Sequence, residues 1–157
     1  MSIAYVGIDP GKTGAIGIIA TEYGCAICDV PVDKDEYDFY RMQQIISRLV
    51  TAHASVYLTL EQQQAMPKQG VSSTFQTGLG YGAWRAICTL VVPDFEIVSP
   101  RKWKKELGLT SDKEQSRKLA IKLYPSMAFL LKRKKDHNRA EALLLAHYTK
   151  LLREEES

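Results

Sequence analysis

The sequence predicts an α/β protein built on a five-stranded mixed sheet. Three strands form an antiparallel meander, two more run parallel, and helices flank the faces. Three observations predict it. First, Ile3–Asp9, Gly14–Ala20 and Cys25–Val32 are short β-forming runs, and Gly11, Gly14 and Gly24 mark the tight turns that join antiparallel neighbours. Second, helical patterns separate the third run from Ser55–Gln62, and that run from Phe95–Pro100, as parallel crossovers require. Third, 45% of the 157 residues are hydrophobic and 25% charged, so residues 1–157 read as a single domain able to bury its own core.

Taken in order, the first strand ends on a carboxylate, Asp9, in the turn of "GIDPGKTGAIG". After the meander, Asp33 and Glu36 have the spacing of a capping box, and Phe39, Met42, Ile46 and Leu49 repeat at helical spacing behind it. The fourth strand also ends on a carboxylate, Glu61. The loop "QQQAMPKQG" leads to a long helix, Val71–Val92, on which Val71, Phe75, Leu79, Ala83, Ala86 and Leu90 share one face and Gly78 and Gly82 stand four apart. Pro100 can open a small helix around Trp103. Ser111 and Glu114 form a second capping box, and the helix behind it stops before Pro125. A last helix spans about His137 to Arg153, with Leu143, Leu144, Tyr148 and Leu151 as its apolar stripe.

No apolar run approaches the roughly 18 residues of a membrane span, and no signal or transit peptide precedes the first strand, so a cytoplasmic protein with no membrane partner is expected. Cys25 and Cys28 lie within a strand rather than at a helix start, without further zinc ligands nearby, and read with Cys88 as plain buried thiols. The net charge of +3 conceals a division: residues 1–100 hold six basic and ten acidic side chains, residues 101–157 fifteen basic and eight acidic. Basic residues gathered in one third of a domain suggest a polyanionic partner.

If the first and fourth strands are parallel neighbours, Asp9 and Glu61 emerge at one sheet edge. The last helix opens "DHNRAEALLLA". His137 and Glu141 share a helix face, as do Asn138 and Glu141, while Asp136 joins them only from an N-cap position. Acidic groups gathered at one point repel unless cations neutralise them, and hard oxygen donors suit Mg²⁺ or Mn²⁺. Two such ions can clamp the attacking and leaving oxygens of a phosphodiester.

The segments "GIDPGKTGAIG", "LTLEQQ", "SPRKWKKELGL" with "DKEQSRKLA", and "DHNRAEALLLA" resemble the RuvC-like Holliday junction resolvases from about residue 4 to residue 148, most of all the branch of phage and plastid resolvases. The resemblance implies a ribonuclease-H-like fold, a homodimer with the Gly78 and Gly82 helix at its interface, and two-metal nicking of four-way junction DNA in recombination and repair. It makes Asp9, Glu61 and Glu141 metal-binding catalytic carboxylates with Asp136 the fourth, and it sets Lys104 and Lys113 near the cleaved phosphate. Arg101, Lys105, Lys134 and Lys135 fit a DNA-binding role from their clustering alone. Two positions depart from the bacterial pattern: Asn138 stands where an acidic residue or histidine is usual, and Gln64 where a wedge phenylalanine is. Three rivals share parts of the pattern. An actin-like sugar kinase needs a second domain for which there is no room, so no nucleotide site is expected. A ribonuclease-H-like enzyme acting on other branched DNA or RNA would share the carboxylates, and a silent junction-binding module would not need them.

Overall fold

The meander forms as its turns dictate. β1 (Ile3–Asp9) pairs antiparallel with β2 (Ala15–Ala20), Ala4 opposite Ala20 and Asp9 opposite Ala15, and β2 pairs antiparallel with β3 (Gly24–Asp29). The computed structural model describes residues 1–157. Asp33 and Glu36 do not cap a helix. They face each other across a small hairpin, β4 (Val32–Asp33) and β5 (Glu36–Tyr37), whose central Lys34 and Asp35 have φ of 48° and 64°. That left-handed pair is the turn that matches strand twist, and it overrides the capping-box spacing. α1 (Phe39–Ala52) starts later, capped by Asp38, whose carboxylate accepts from the Arg41 N–H at 3.0 Å.

β6 (Ser55–Glu61) lies parallel to β1, with Ile8 opposite Leu60. α2 (Val71–Val91) then crosses over to β7 (Phe95–Val98), parallel to β6, giving the order β3-β2-β1-β6-β7. α3 (Pro100–Glu106) begins on proline under a Ser99 cap. α4 (Lys113–Leu123) is capped by Asp112, whose carboxylate accepts from the Glu114 N–H, one residue later than the Ser111 spacing suggests. α5 (His137–Glu155) closes the fold. No helix is long and apolar enough to cross a membrane.

Two cores sandwich the sheet. Val6, Ile8 and Ile16 pack with Met42 and Ile46 of α1 and Trp84 and Cys88 of α2 on one face. Tyr5 and Ile19 pack with Leu143, Leu144 and Tyr148 of α5 on the other. Cys25 belongs to the second side and Cys28 to the first; both are half-buried rather than fully buried, and their opposite faces rule out a shared metal site. Leu151, expected in the α5 stripe, is exposed, while Leu145 and Ala146 are buried.

The apolar face read on α2 is not the one that meets the sheet. Gly80, Trp84 and Cys88 are buried, whereas Val71, Phe75 and Leu90 are 89%, 67% and 84% exposed. Tyr37 explains the rotation: its ring fills the space above Gly80, where a Cβ would stand 2.3 Å from it. Gly78 and Gly82 lie on the outward side with open space above them.

α5 approaches the sheet at a pair of glycines. Gly7 and Gly17 are register partners on β1 and β2, and a Cβ at either would strike the α5 backbone at Ala142. This flat patch sets the height of the residue before Ala142, which is Glu141.

Candidate active site

Strand register brings the first two acidic residues together. Ile8 pairs with Leu60 in parallel β1 and β6, so Asp9 and Glu61 leave the sheet side by side at its C-terminal edge. Glu141 reaches the same edge from the first turns of α5. Glu61 and Glu141 are 6% and 8% exposed. Burial first, then the Glu61 and Glu141 carboxylates, push Asp9 up to about 8, against the Gly11 backbone N–H and Lys104. Burial likewise pushes Glu61 up to about 7, opposed by the indole N–H of Trp103 and reinforced by Glu141. Each carboxylate is thus destabilised by the others, which is the electrostatic condition a bound cation relieves.

Neutral and cationic side chains hold the cluster. Trp103, fully buried, donates its indole N–H to Glu61 Oε2 at 2.8 Å, and the Gln63 amide donates to Oε1 at 3.2 Å. Lys104 Nζ stands 2.8 Å from Glu141 Oε1. With Lys104 on Glu141 and two donors on Glu61, no three acidic or histidine side chains close on a single point as a chelate. The donor set nonetheless fits a hard divalent ion, being three carboxylates whose mutual repulsion is only partly neutralised.

Asp136 is placed apart from this cluster. Its Oδ2 accepts from the Arg133 backbone N–H at 2.8 Å and its Oδ1 from the Arg133 guanidinium at 2.8 Å, with Arg139 at 3.7 Å. These bonds hold its carboxyl below the usual range. Arg139 also forms a bidentate pair with Asp29, both contacts at 2.7 Å, and so ties the end of β3 to α5. His137 lies against the Lys134 carbonyl at 3.0 Å, and the Asn138 amide donates to the Thr13 carbonyl at 2.9 Å in the β1–β2 turn. Asn138 therefore braces the catalytic turn.

Beside the carboxylates lies a cleft of about 420 Å³ with no hydrophobic lining residue, where Lys12, Arg133, Lys135 and Arg139 outnumber Asp29 and Asp136. Lys134 sits exposed on the same turn; Arg101 and Lys105 are exposed on α3, and Lys113 opens α4. The cations of the last third thus flank the acidic edge. Sequence reasoning missed Trp103 and Gln63 as the groups orienting Glu61. It also missed the Gly7–Gly17 pair, though glycine inside two adjoining strands signals a close backbone approach.

No protein-family model matches the chain. Over 94 residues, 59% of its length, it is 31% identical to the chloroplastic Holliday junction resolvase MOC1 of Chlamydomonas reinhardtii, and that stretch spans 11% of the longer protein. Among solved structures it is similar to Thermus thermophilus RuvC in complex with Holliday junction substrate, at 16% identity and a TM-score of 0.60, covering 99% of this chain and 96% of that one. It is similar to Thermus thermophilus RuvC alone at 17% identity and a TM-score of 0.61, covering 99% and 97%. The fold is therefore that of RuvC, the ribonuclease-H-like mixed sheet.

Proposed function

We propose that the protein is a metal-dependent endonuclease that resolves four-way DNA junctions by paired phosphodiester hydrolysis. The observation that carries this reading is the convergence of Asp9, Glu61 and Glu141 at one sheet edge beside a cationic cleft, in a fold shared with a junction-bound resolvase. The three carboxylates would hold Mg²⁺ or Mn²⁺, as one ion or a pair, which when bound activates a water and offsets charge at the phosphate. Trp103 and Gln63 fix Glu61 for that task. Lys104, drawn to Glu141 by charge, is free to hold a phosphate oxygen once Glu141 has another cation. Lys113, Arg101, Lys105, Lys134 and Lys135 hold phosphates along the strand and set its register without reading sequence. A panel of four-way, linear duplex and RNA–DNA hybrid substrates in Mg²⁺ or Mn²⁺, with nicks mapped on each strand, tests the reading. Paired symmetric nicks confined to the junction are expected, and preferential cutting of the hybrid overturns it.

Asp136 joins the ion-binding set only on release from Arg133. As placed, it orders the basic turn Lys132–Lys135, so Asp136→Asn is expected to weaken junction binding about tenfold, the scale of a charged hydrogen bond lost, and to leave kcat within about threefold. A kcat collapse with unchanged binding would put Asp136 on the ion instead.

Four-way junctions carry two strands of like polarity to be cut, and a twofold dimer supplies two equivalent sites. The outward face of α2, with exposed Val71, Phe75 and Leu90 and no side chain at Gly78 or Gly82, suits that interface. Gly82→Arg is expected to give a folded monomer that nicks singly, since nothing within 4 Å of Gly82 obstructs the new side chain in the monomer. A variant that sizes as a dimer and still cuts in pairs would move the interface elsewhere.

A further inference from the structure

On the α2 side of the catalytic edge, opposite the cationic cleft, lies a small polar pocket of about 140 Å³. Gly11 and Lys12 of the β1–β2 turn, Tyr37, and Ser73, Gln76 and Thr77 of α2 wall it. It adjoins both strand-end carboxylates: the Gly11 N–H bonds to Asp9, and Gln63, which also lines the pocket, donates to Glu61. Its α2 wall is fixed, because the Gln69 amide donates to Ser73 Oγ at 3.0 Å and to Thr77 Oγ1 at 3.1 Å. The Tyr37 hydroxyl donates to the Gln76 main-chain carbonyl at 3.3 Å, and Lys12 Nζ lies 5.7 Å from the Tyr37 ring centre.

One atom in this wall is unsatisfied. Gln76 Oε1 is closed to solvent and accepts no hydrogen bond. A buried acceptor without a donor costs free energy, and such groups in folded proteins usually mark a ligand or a functional strain. A pocket lined with hydroxyls and an ammonium, with its one free acceptor shut from water, suits a polar group bringing both an N–H donor and a negative charge. A nucleotide is such a group: its phosphate meets Lys12, and its base meets Gln76.

Resting on the nuclease reading, we propose that this pocket takes one nucleotide flanking the cleaved bond, and that Gln76 selects a base with an exocyclic amine. Adenine N6 and cytosine N4 keep an N–H free even when paired, whereas guanine and thymine present a carbonyl oxygen at the corresponding position. That oxygen would face Gln76 Oε1 as acceptor against acceptor. Gln76 is thus a specificity-determining residue, separate from the ion-holding carboxylates.

The test is single-turnover cleavage of four-way junctions in which each of the four bases is placed in turn at the two positions flanking the cut. Wild-type protein is expected to cut adenine or cytosine about five- to tenfold faster than guanine or thymine at one of those positions, the scale of a single buried hydrogen bond. Gln76→Met, which keeps the length and removes the oxygen, is expected to bring the four rates within about twofold of one another. Gln76→Asn, which withdraws the oxygen by one methylene, carries the same expectation should the methionine variant fail to melt cooperatively. Equal rates in the wild type, a preference for guanine or thymine, or a preference that survives both substitutions overturns the proposal. If no substrate of any kind is cut, the nuclease reading fails. The pocket is then judged by binding of oligo-dC against oligo-dT to wild type and Gln76→Met, and equal affinities in the wild type overturn it.

Discussion

Asp9→Asn is expected to abolish strand cleavage, by at least about a thousandfold, while leaving junction affinity within a few-fold of wild type. The amide keeps the shape of the carboxyl and removes the charge that holds a divalent ion. Ion-borne charge stabilisation is worth several kcal/mol in the transition state, and about 4 kcal/mol is a factor of a thousand. The fold is expected to survive, because Asp9 is one of three carboxylates that destabilise one another: burial and its neighbours Glu61 and Glu141 push it to about 8. Removing one like charge relieves that repulsion, so the thermal midpoint should hold or rise. Phosphates also approach the edge more readily when it is less acidic, so junction binding should hold or tighten slightly. Nicking assays at saturating enzyme, junction gel shifts and a melting curve check the three parts together. Cleavage by Asp9→Asn at the wild-type rate would end the reading of this edge as an ion-dependent active site.

Much of that edge was legible in the sequence because strand ends are easy to see. A β-forming run that stops on a carboxylate, twice, with helical crossovers between, places Asp9 and Glu61 together by topology alone, and the observed β1–β6 pairing is the arrangement those crossovers imply. What was not legible depended on which of two compatible local patterns would win. Asp33 and Glu36 satisfy the spacing of a capping box, but Lys34 and Asp35 accept left-handed backbone, and the hairpin they close lets Tyr37 bury itself above Gly80. That packing turns α2, so its bulkier apolar face points outward. Periodicity marks an apolar face; it does not say whether the sheet or a second molecule will cover it. Asp136 shows the same limit at the site. Its position just before α5 permits a turn toward Glu141, yet Arg133, three residues earlier, offers its carboxylate both a backbone N–H and a guanidinium. Charge-assisted bonds at that range outcompete approach to an already acidic edge.

The second large effect is structural and reaches the site through α5. Gly17→Ala is expected to lower the melting midpoint by about 10 °C or more. A Cβ at position 17 would stand 2.4 Å from the Ala142 carbonyl oxygen and 2.5 Å from the Leu143 nitrogen, and these are backbone atoms that no side-chain rotation can clear. Ordinary overpacking costs about 1–3 kcal/mol, and a clash that must move a 19-residue helix off the sheet belongs at or above the top of that range. Near 150 residues each kcal/mol shifts the midpoint by about 2–4 °C, which gives the expected fall. Gly7, the register partner of Gly17, meets the same stretch of α5, with a Cβ 2.5 Å from the Ala142 oxygen, so Gly7→Ala should act alike. Gly82→Ala is the control, because its new methyl would meet nothing within 4 Å and alanine favours the helix. Activity distinguishes a loss of stability from a loss of geometry. Even at temperatures where Gly17→Ala is fully folded, lifting Ala142 moves Glu141 away from Asp9 and Glu61, so cleavage should fall at least tenfold with junction binding retained. A Gly17→Ala protein that melts within about 2 °C of wild type and cuts normally would show that α5 is not seated on the glycine pair, and that the height of Glu141 is set by something else.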